Sequence, residues 1–446
     1  MLRESLKDFH SIKLSRNLID LGAYVPNSYY LLGGSLFNFT ERLSLNIKFL
    51  RENLDKTNTF IYLERYVNEG SRTYSTFAQH FDGHKKYHPV YGVRAFRVPC
   101  LRLPIEKVEI FLANPDIKLL NKYIQDSTIL LPVHPEIFKD DSVPFIKELR
   151  SYFCTSILVA PAASTRTVMT MVQPHFIKLH YPRRVSRFIR AMTKDIIKTS
   201  TEVSKSLAQS SLPNFGFLPE SIGVAIGDSP DSWGFIIREN LAKPEIDEKR
   251  FLIPLFALYS QDLNNKHDLP LLIQLIELHK QDPVNFTLEH IMKPIIKIWC
   301  NFIRKEGFLL EMHGENNLLE LDEHCYPSRI IYRDLDVKID IQTRQRLSLH
   351  TDFPKSRYMP YESEKTYSRS YDGSIGHHLF DYMCEILQQH YGINPKVFQK
   401  ACKETFHEHF PDAHNYFSDT VYYYTEELSN NNKYVLTAIK DKPKWR

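Results

Sequence analysis

One stretch of this 446-residue chain gathers hydroxyls and fixed cations as few others do: between Ala160 and Arg190 stand Ser164, Thr165, Arg166 and Thr167, then Lys178, Ser186 and Arg190. A guanidinium grips two phosphate or carboxylate oxygens at once, an ammonium adds a point charge, and neighbouring hydroxyls donate to the same oxygens. The set suits a polyanion pocket, and it equally suits a solvated basic face. A second dense group contains Glu311, His313, Glu315 and Asn316, followed by Arg333, Asp334 and Asp336. Carboxylates and a carboxamide are oxygen ligands for Mg2+, whose octahedral shell is completed by substrate oxygens and water. Arg333 and Asp334 fit a structural ion pair as readily. Taken together, one group offers cations and the other metal ligands, and ATP with Mg2+ is the economical ligand. Neither GxxxxGK[ST] nor GxGxxG occurs, so a P-loop or Rossmann nucleotide site is excluded.

The elements that must position these residues follow from periodicity. The apolar, β-branched run from Cys154 to Ala163 reads as a buried strand delivering Ser164 to Thr167 at its end, and Phe176 to Tyr181 as a second strand carrying Lys178. Val185 to Gln209 has the spacing of one amphipathic helix, with Ser186 and Arg190 four apart on its first turns. Short proline-bounded strands are expected between Val98 and Leu131, leading into a turn at Val133-His134-Pro135, where His134 packs the turn. A further strand should end at Arg238-Glu239. Beyond Lys243-Pro244, helices are expected over 251–263, 269–280 and 286–307, the last kinked or restarted at Pro294 with Trp299 and Phe302 on a core face. A tight loop at Gly314 then joins two strands. Near the start, Phe37 to Leu54 has helical periodicity. His80, His84 and His88 recur every four residues, but Gly83 and Pro89 oppose a helix there. Three readings of them stand: surface histidines in a loop, a loop lending His84 or His88 to an anion, or, with Asp82, a metal site.

The composition, 43% hydrophobic, is that of an ordinary globular chain, and its length predicts about two or three domains. With 57 Lys plus Arg against 53 Asp plus Glu, no nucleic-acid coat or membrane-surface role is indicated; charge used for binding must be local. The six cysteines show no CxxC pair, which excludes a zinc-like spacing and fits a reduced, cytoplasmic protein. No run approaches the ~18 apolar residues of a spanning helix, and the first twenty residues lack an apolar signal core.

The order of these motifs resembles the siderophore synthetases that act independently of nonribosomal peptide synthetases, the IucA/IucC-like family. Ser164-Thr165-Arg166-Thr167 matches its Ser-x-Arg-Thr element, and Arg190 follows Lys178 by the family's twelve residues, with Ser186 where the family commonly has Thr. Leu131 to Pro135 matches Leu-Pro-Val-His-Pro, Glu311 to Asn316 resembles Glu-x-His-Gly-Gln-Asn, and Arg333-Asp334 the Arg-Asp pair. Gly83-His84 and His88-Pro89 resemble Gly-His-Pro-x-His-Pro, with Lys85 in place of proline and one added residue; Glu315 replaces Gln and Val337 replaces Gly.

The resemblance implies an α+β, hand-like fold of thumb, fingers and a kinase-like palm: a reduced thumb-like lobe over 1–130, a fingers-like lobe over 131–245, and a palm-like lobe over 246–446. It implies an AMP-forming ligase that adenylates a citrate-like acid and condenses it with an amine, hydroxylamine or alcohol, with no nucleic-acid or membrane partner, as a homodimer. Ser164, Arg166, Thr167, Lys178 and Asn316 would hold ATP; Glu311, Asn316 and Asp334 would hold Mg2+; Ser186, Arg190, His313 and Glu315 would face substrate. Arg190, His313, Lys178 and His84 would carry catalysis. Two other readings remain at this point, a kinase-like phosphotransferase and a non-catalytic carboxylate- or siderophore-binding homologue.

Overall fold

The computed structural model describes residues 56–446 apart from 70–79, 94, 116–117, 171–173, 187, 228, 230, 247–249, 264–265, 361–362 and 429–433. The helix expected from Phe37 to Leu54 lies outside the described residues. Helix α1, Lys56–Tyr66, is followed by strands β1 Phe96–Pro104, β2 Val108–Leu112, β3 Ile124–Gln125, β4 Thr128–Pro132, β5 Phe153–Pro161, β6 Thr167–Thr170 and β7 Phe176–Lys178. Next come the strands β8 Tyr181–Val185 and β9 Phe188–Arg190, helix α2 Lys194–Leu207, and strands β10 Phe215–Phe217, β11 Glu220–Ile226, β12 Gly234–Arg238 and β13 Phe251–Pro254. The remainder contains helix α3 Lys293–Asn301, strands β14 Phe308–Leu309, β15 Asn317–Leu321, β16 Pro327–Tyr332 and β17 Lys338–Ile339, helices α4 Asp381–Tyr391 and α5 Lys396–His409, and the hairpin β18 Tyr422–Leu428 with β19 Tyr434–Ala438. The fold is α+β, as expected.

Nine strands form one antiparallel sheet in the order β2-β11-β12-β7-β6-β5-β1-β4-β3, and four form a second in the order β10-β16-β15-β13. The nine-stranded sheet draws β1 to β3 from the first 130 residues and β5, β6, β7, β11 and β12 from 131–245, with β4 lying across that boundary. β10 leaves that run to pair in parallel with β16, and Lys243 bridges back to Phe217.

Alternation along the strands decides what each face does. Leu158, Ala160, Met169 and Phe176 project into the large core shared with α1 and the palm-like half, whereas Val159, Val168 and Ile177 project into the core on the opposite face. Lys178, two residues beyond Phe176, therefore looks toward the palm. Helix α2 lies against the sheet where β11 has Gly223: a Cβ there would meet Ile197 Cγ2 at 2.4 Å, so the close approach requires glycine.

Three expectations need correction. The helix expected from Val185 begins only at Lys194, with Thr193 as its cap; residues 181–190 are the hairpin β8–β9. Val185 pairs with Phe188 inside the hairpin and with Phe81 from the far edge, so strand pairing overrides the apolar spacing. The expected helix at 251–263 is strand β13 followed by a single turn, Phe256–Tyr259. The kink or restart expected at Pro294 falls slightly earlier, as a π turn over Leu288–Met292 that runs into α3 with the proline in its first turn. Trp299 is fully buried core, its indole N–H donating to Ser370 Oγ at 2.9 Å.

Candidate active site

The palm-facing side of the nine-stranded sheet sets the first wall of a cleft. Thr167 stands opposite Lys178 across β6 and β7; Ile236 flanks Lys178 on the other side, and Glu220 stands opposite Arg238 across β11 and β12. Lys178 is 1% exposed, and its Nζ donates to Glu220 Oε1 at 2.9 Å and to Asp334 Oδ1 at 2.6 Å. Arg238 donates to the same Glu220 oxygen, from Nε at 3.0 Å and Nη2 at 2.6 Å. Glu220 Oε2 has no hydrogen-bond partner. Burial opposes ionisation of Glu220 and Asp334, but Lys178, with Arg238, outweighs it and holds both acids below their usual range, Asp334 far below. With its ammonium almost wholly buried, Lys178 is costly to leave without its carboxylates.

At the mouth of β6, the turn Ser164 to Thr167 is held by its own polar groups. Thr165 adopts φ +60° and its hydroxyl donates to the Tyr87 carbonyl at 2.7 Å; Ser164 Oγ accepts from the Thr167 N–H at 3.3 Å. Arg166 is 8% exposed, yet its Nε and Nη1 have no hydrogen-bond partner. Burial, and next the charge of Arg190, pull its guanidinium down to about 10, with Asp334, Asp336 and Glu220 pulling the other way. Those opposed pulls place cations of the sheet and hairpin in one electrostatic space with carboxylates of the palm-like half.

Arg190 comes into range of Arg166 from a hairpin, not from the helix expected, and Ser186 lies in the turn of that hairpin. Arg190 Nε donates to the Val185 carbonyl at 3.2 Å; Ser186, at φ +56°, donates its N–H to the His80 carbonyl at 2.6 Å. His84 is exposed and opens a short 3-10 turn, its Nδ1 accepting from the Lys86 N–H at 3.1 Å and its own N–H donating to Glu136 Oε1 at 2.9 Å. The segment is thus a loop, and it joins the Ser164 turn through Tyr87. His134 is buried and does pack its turn: its Nδ1 accepts from the Glu136 N–H at 3.3 Å, and burial with Arg183 nearby pushes it down to about 3. Among the described residues, no three His, Cys, Asp or Glu side chains are grouped to hold a metal, so the three histidines of residues 80–88 do not form such a site.

The opposite wall is the turn between β14 and β15 and the residues after β16. Glu315 donates its N–H to His313 Nδ1 at 3.2 Å, and Asn316 Nδ2 donates to the Glu311 carbonyl at 3.0 Å. A Cβ at Gly314 would stand 2.4 Å from the Tyr259 hydroxyl, which is why the turn needs glycine. Glu311 pairs with Arg369; burial raises its pKa, but Arg369 and then His313 bring it below the ordinary value. Asp334 turns out of β16 at φ +74°, and Asp336 pairs with Arg357 at 3.1 Å. Burial, opposed by Arg357 and reinforced by Asp334, pushes Asp336 up to about 6.

The structure therefore brings Lys178 and Asp334 together directly, with Thr167 beside Lys178 and with Arg166 and Arg190 in electrostatic range; Glu311, His313, Glu315 and Asn316 form the adjoining turn. Arg333 is turned elsewhere, its Nε donating to the Glu315 carbonyl at 2.7 Å and its Nη2 lying 2.7 Å from Glu64 Oε1. Sequence reading missed Glu64, Glu220, Arg238 and Arg369. Arg238 was visible as a charged strand end; the three others stand in no motif.

Solved proteins of siderophore biosynthesis share this fold. Petrobactin biosynthesis protein AsbB from Bacillus anthracis matches at TM-score 0.63 and 14% identity, over 89% of this chain and 74% of that one. Aerobactin synthetase IucC from a hypervirulent pathotype of Klebsiella pneumoniae matches at 0.59 and 16%, over 91% and 76%. Aerobactin synthetase IucA from the same pathotype, solved with ATP bound, matches at 0.57 and 13%, over 90% and 76%. The family described as ferric iron reductase FhuF-like transporter matches residues 288–419. No curated protein matches the chain by sequence.

Proposed function

We propose that the chain is an ATP-dependent ligase of siderophore-type biosynthesis: it adenylates a citrate-like carboxylic acid and passes the acyl group to an amine, hydroxylamine or alcohol. The observation that carries this reading is the buried Lys178 shared by Glu220 and Asp334, next to an Arg166 whose two buried donors lack partners. A buried guanidinium in that condition calls for an anion. The attack of a carboxylate on a phosphate brings two anions together, and fixed cations lower that repulsion while holding both reactants in line.

In this reading the acid's oxygen attacks the α-phosphorus of ATP, the bond from that phosphorus to the bridging oxygen breaks, and pyrophosphate leaves with the electron pair. The acceptor's nitrogen or oxygen then attacks the acyl carbon, AMP leaves and the acceptor gives up its proton. Ser164, Arg166, Thr167 and Lys178 hold the phosphates, with Asn316 across the cleft. Arg190 and His313, beside Ser186 and Glu315, orient the carboxylate, and His84 lies at the rim. Glu311, Asn316 and Asp334 offer the oxygen donors that Mg2+ takes, Asn316 being bonded to the Glu311 backbone, with substrate oxygens and water to complete the shell. When bound there, Mg2+ would offset phosphate charge. The same reading makes the protein a cytoplasmic homodimer acting on small molecules.

A kinase-like phosphotransferase is the second reading, favoured by a Lys and an Asp meeting across two sheets. Products separate the two. Across a panel of carboxylic acids and amines the ligase should release AMP and pyrophosphate, the kinase ADP. If ATP binds and no acid stimulates pyrophosphate release, the ligase reading fails and a carboxylate-binding role replaces it.

A further inference from the structure

Helix α1 meets both walls of the cleft through one side chain. Glu64 is 2% exposed; its Oε2 accepts the N–H of Ala163 at 3.1 Å, and its Oε1 lies 2.7 Å from Arg333 Nη2. Ala163 immediately precedes Ser164, and Arg333 immediately precedes Asp334, so one carboxylate is hydrogen-bonded to the residue before the Ser164 turn and ion-paired with the residue before Asp334. The helix around it is itself fixed on both sides. Tyr62 donates its hydroxyl to Asp262 at 2.8 Å, and Arg65 donates to the carbonyls of Gly92 and Val93, each at 3.1 Å, at the far end of the His84 loop. The Arg333 guanidinium also lies 5.7 Å from the centre of the Phe60 ring, one turn before Glu64.

We propose that Glu64 is a positioning residue: it sets the separation of the Ser164–Thr167 turn from Asp334, and with it the fit of a nucleotide's phosphates between them. The proposal rests on the nucleotide reading of the cleft. A carboxylate suits the task because its two oxygens can accept from two donors at once, and its charge pairs with Arg333 where a neutral acceptor would not. The Lys178–Asp334 contact closes the same gap from inside, but a bound phosphate competes for that ammonium. The Glu64 link involves no group proposed to touch the phosphates and so persists when ligand enters.

The test is calorimetric titration of the full chain with Mg-ATP, comparing wild type, Glu64→Gln, Arg333→Gln and the double variant, with melting curves for each. Gln keeps the size and the acceptor for Ala163 but loses the charge that holds Arg333. Expected are a rise of about tenfold in Kd for each single variant, the order a small misplacement costs, and no further rise in the double variant, because both substitutions break the same link. Melting temperatures should fall in each single variant, which leaves a buried charge without its partner, and recover in part in the double variant. Glu64→Gln binding as wild type overturns the proposal, as do multiplying losses in the double variant. Loss of the melting transition in both single variants also overturns it, since Glu64 would then serve stability alone. Failure of the wild type to bind Mg-ATP defeats the nucleotide reading, and this proposal with it; binding by the wild type that Glu64→Gln leaves unchanged defeats this proposal alone.

Discussion

The sheet side of the cleft and its rim hold charge in opposite ways. Lys178, Glu220 and Arg238 sit on β7, β11 and β12, almost wholly buried, each fixed by strand register and by one another. His84, Ser186 and Arg190 sit on a loop and a hairpin, more open to water, each tied to a single neighbouring backbone segment or carboxylate. Register can shift only by flipping a whole strand face, whereas a capped loop can rearrange locally. The sheet side is thus built to meet the same ligand group every time, and the rim is where substrate preference can change without cost to the core.

Lys178→Ala should break the sheet side most severely. It removes the cation proposed to meet phosphate and leaves Glu220 and Asp334 facing one another: pyrophosphate release should fall by about 10²–10³-fold, with a loss of stability on the order of 3–5 kcal/mol in chemical unfolding. Near-normal turnover in this variant would remove the sheet side from the chemistry. Arg190→Ala, on the hairpin, should lower kcat/KM for the acid by about 10- to 100-fold and barely move the melting temperature. A stability loss like that of Lys178→Ala would erase the distinction between the walls. His84→Ala should cost less than about tenfold in turnover, below the usual range for a positioned acid or base; a larger loss would move His84 from the rim into the reaction. The smallest effect concerns pH. His134 and His180 are both pushed down to about 3, each first by burial, then by Arg183 and Arg166 respectively. The unfolded chain takes up their protons near 6.5, so their contribution to stability is full above that value and is lost as pH falls toward 3. One pH unit below 6.5 the loss is about 1 kcal/mol per histidine. His134→Asn keeps an acceptor for the Glu136 N–H and removes one titration; melting temperature against pH should fall less steeply between 7 and 5. An unchanged slope would mean that His134 is not held neutral.

What was legible follows the same division. Apolar, β-branched runs locate β5 and β7, and the strand expected to end at Arg238-Glu239 is β12; that Lys178 shares the face of Phe176 follows once β7 is known to be a strand. The hairpin is hidden because Val185, Phe188, Ile189 and Met192 satisfy helical spacing; the opposing signal is the cap at Thr193 followed by Asp195 in the first turn. The Phe251 strand was hidden because a buried strand and a buried helix are equally apolar over four residues. Glu64 and Glu220 left no trace in the sequence, since a lone carboxylate gains its meaning only from groups that tertiary folding brings to it. Sequence showed which residues could bind; it did not show what holds them apart.

The Lys178–Asp334 contact carries a consequence for ligand choice. A plain anion drawn to Lys178 takes the counter-ion from Asp334 and strands that carboxylate beside Glu311 and Asp336. A bare cation drawn to Asp334 leaves the ammonium with Glu220 alone. A visitor bringing both signs, a polyphosphate already carrying its divalent ion, exchanges both partners at once. On the proposed nucleotide reading the contact would act as a coincidence detector, and binding should be strongly cooperative between nucleotide and metal while free phosphate and free Mg2+ each bind poorly.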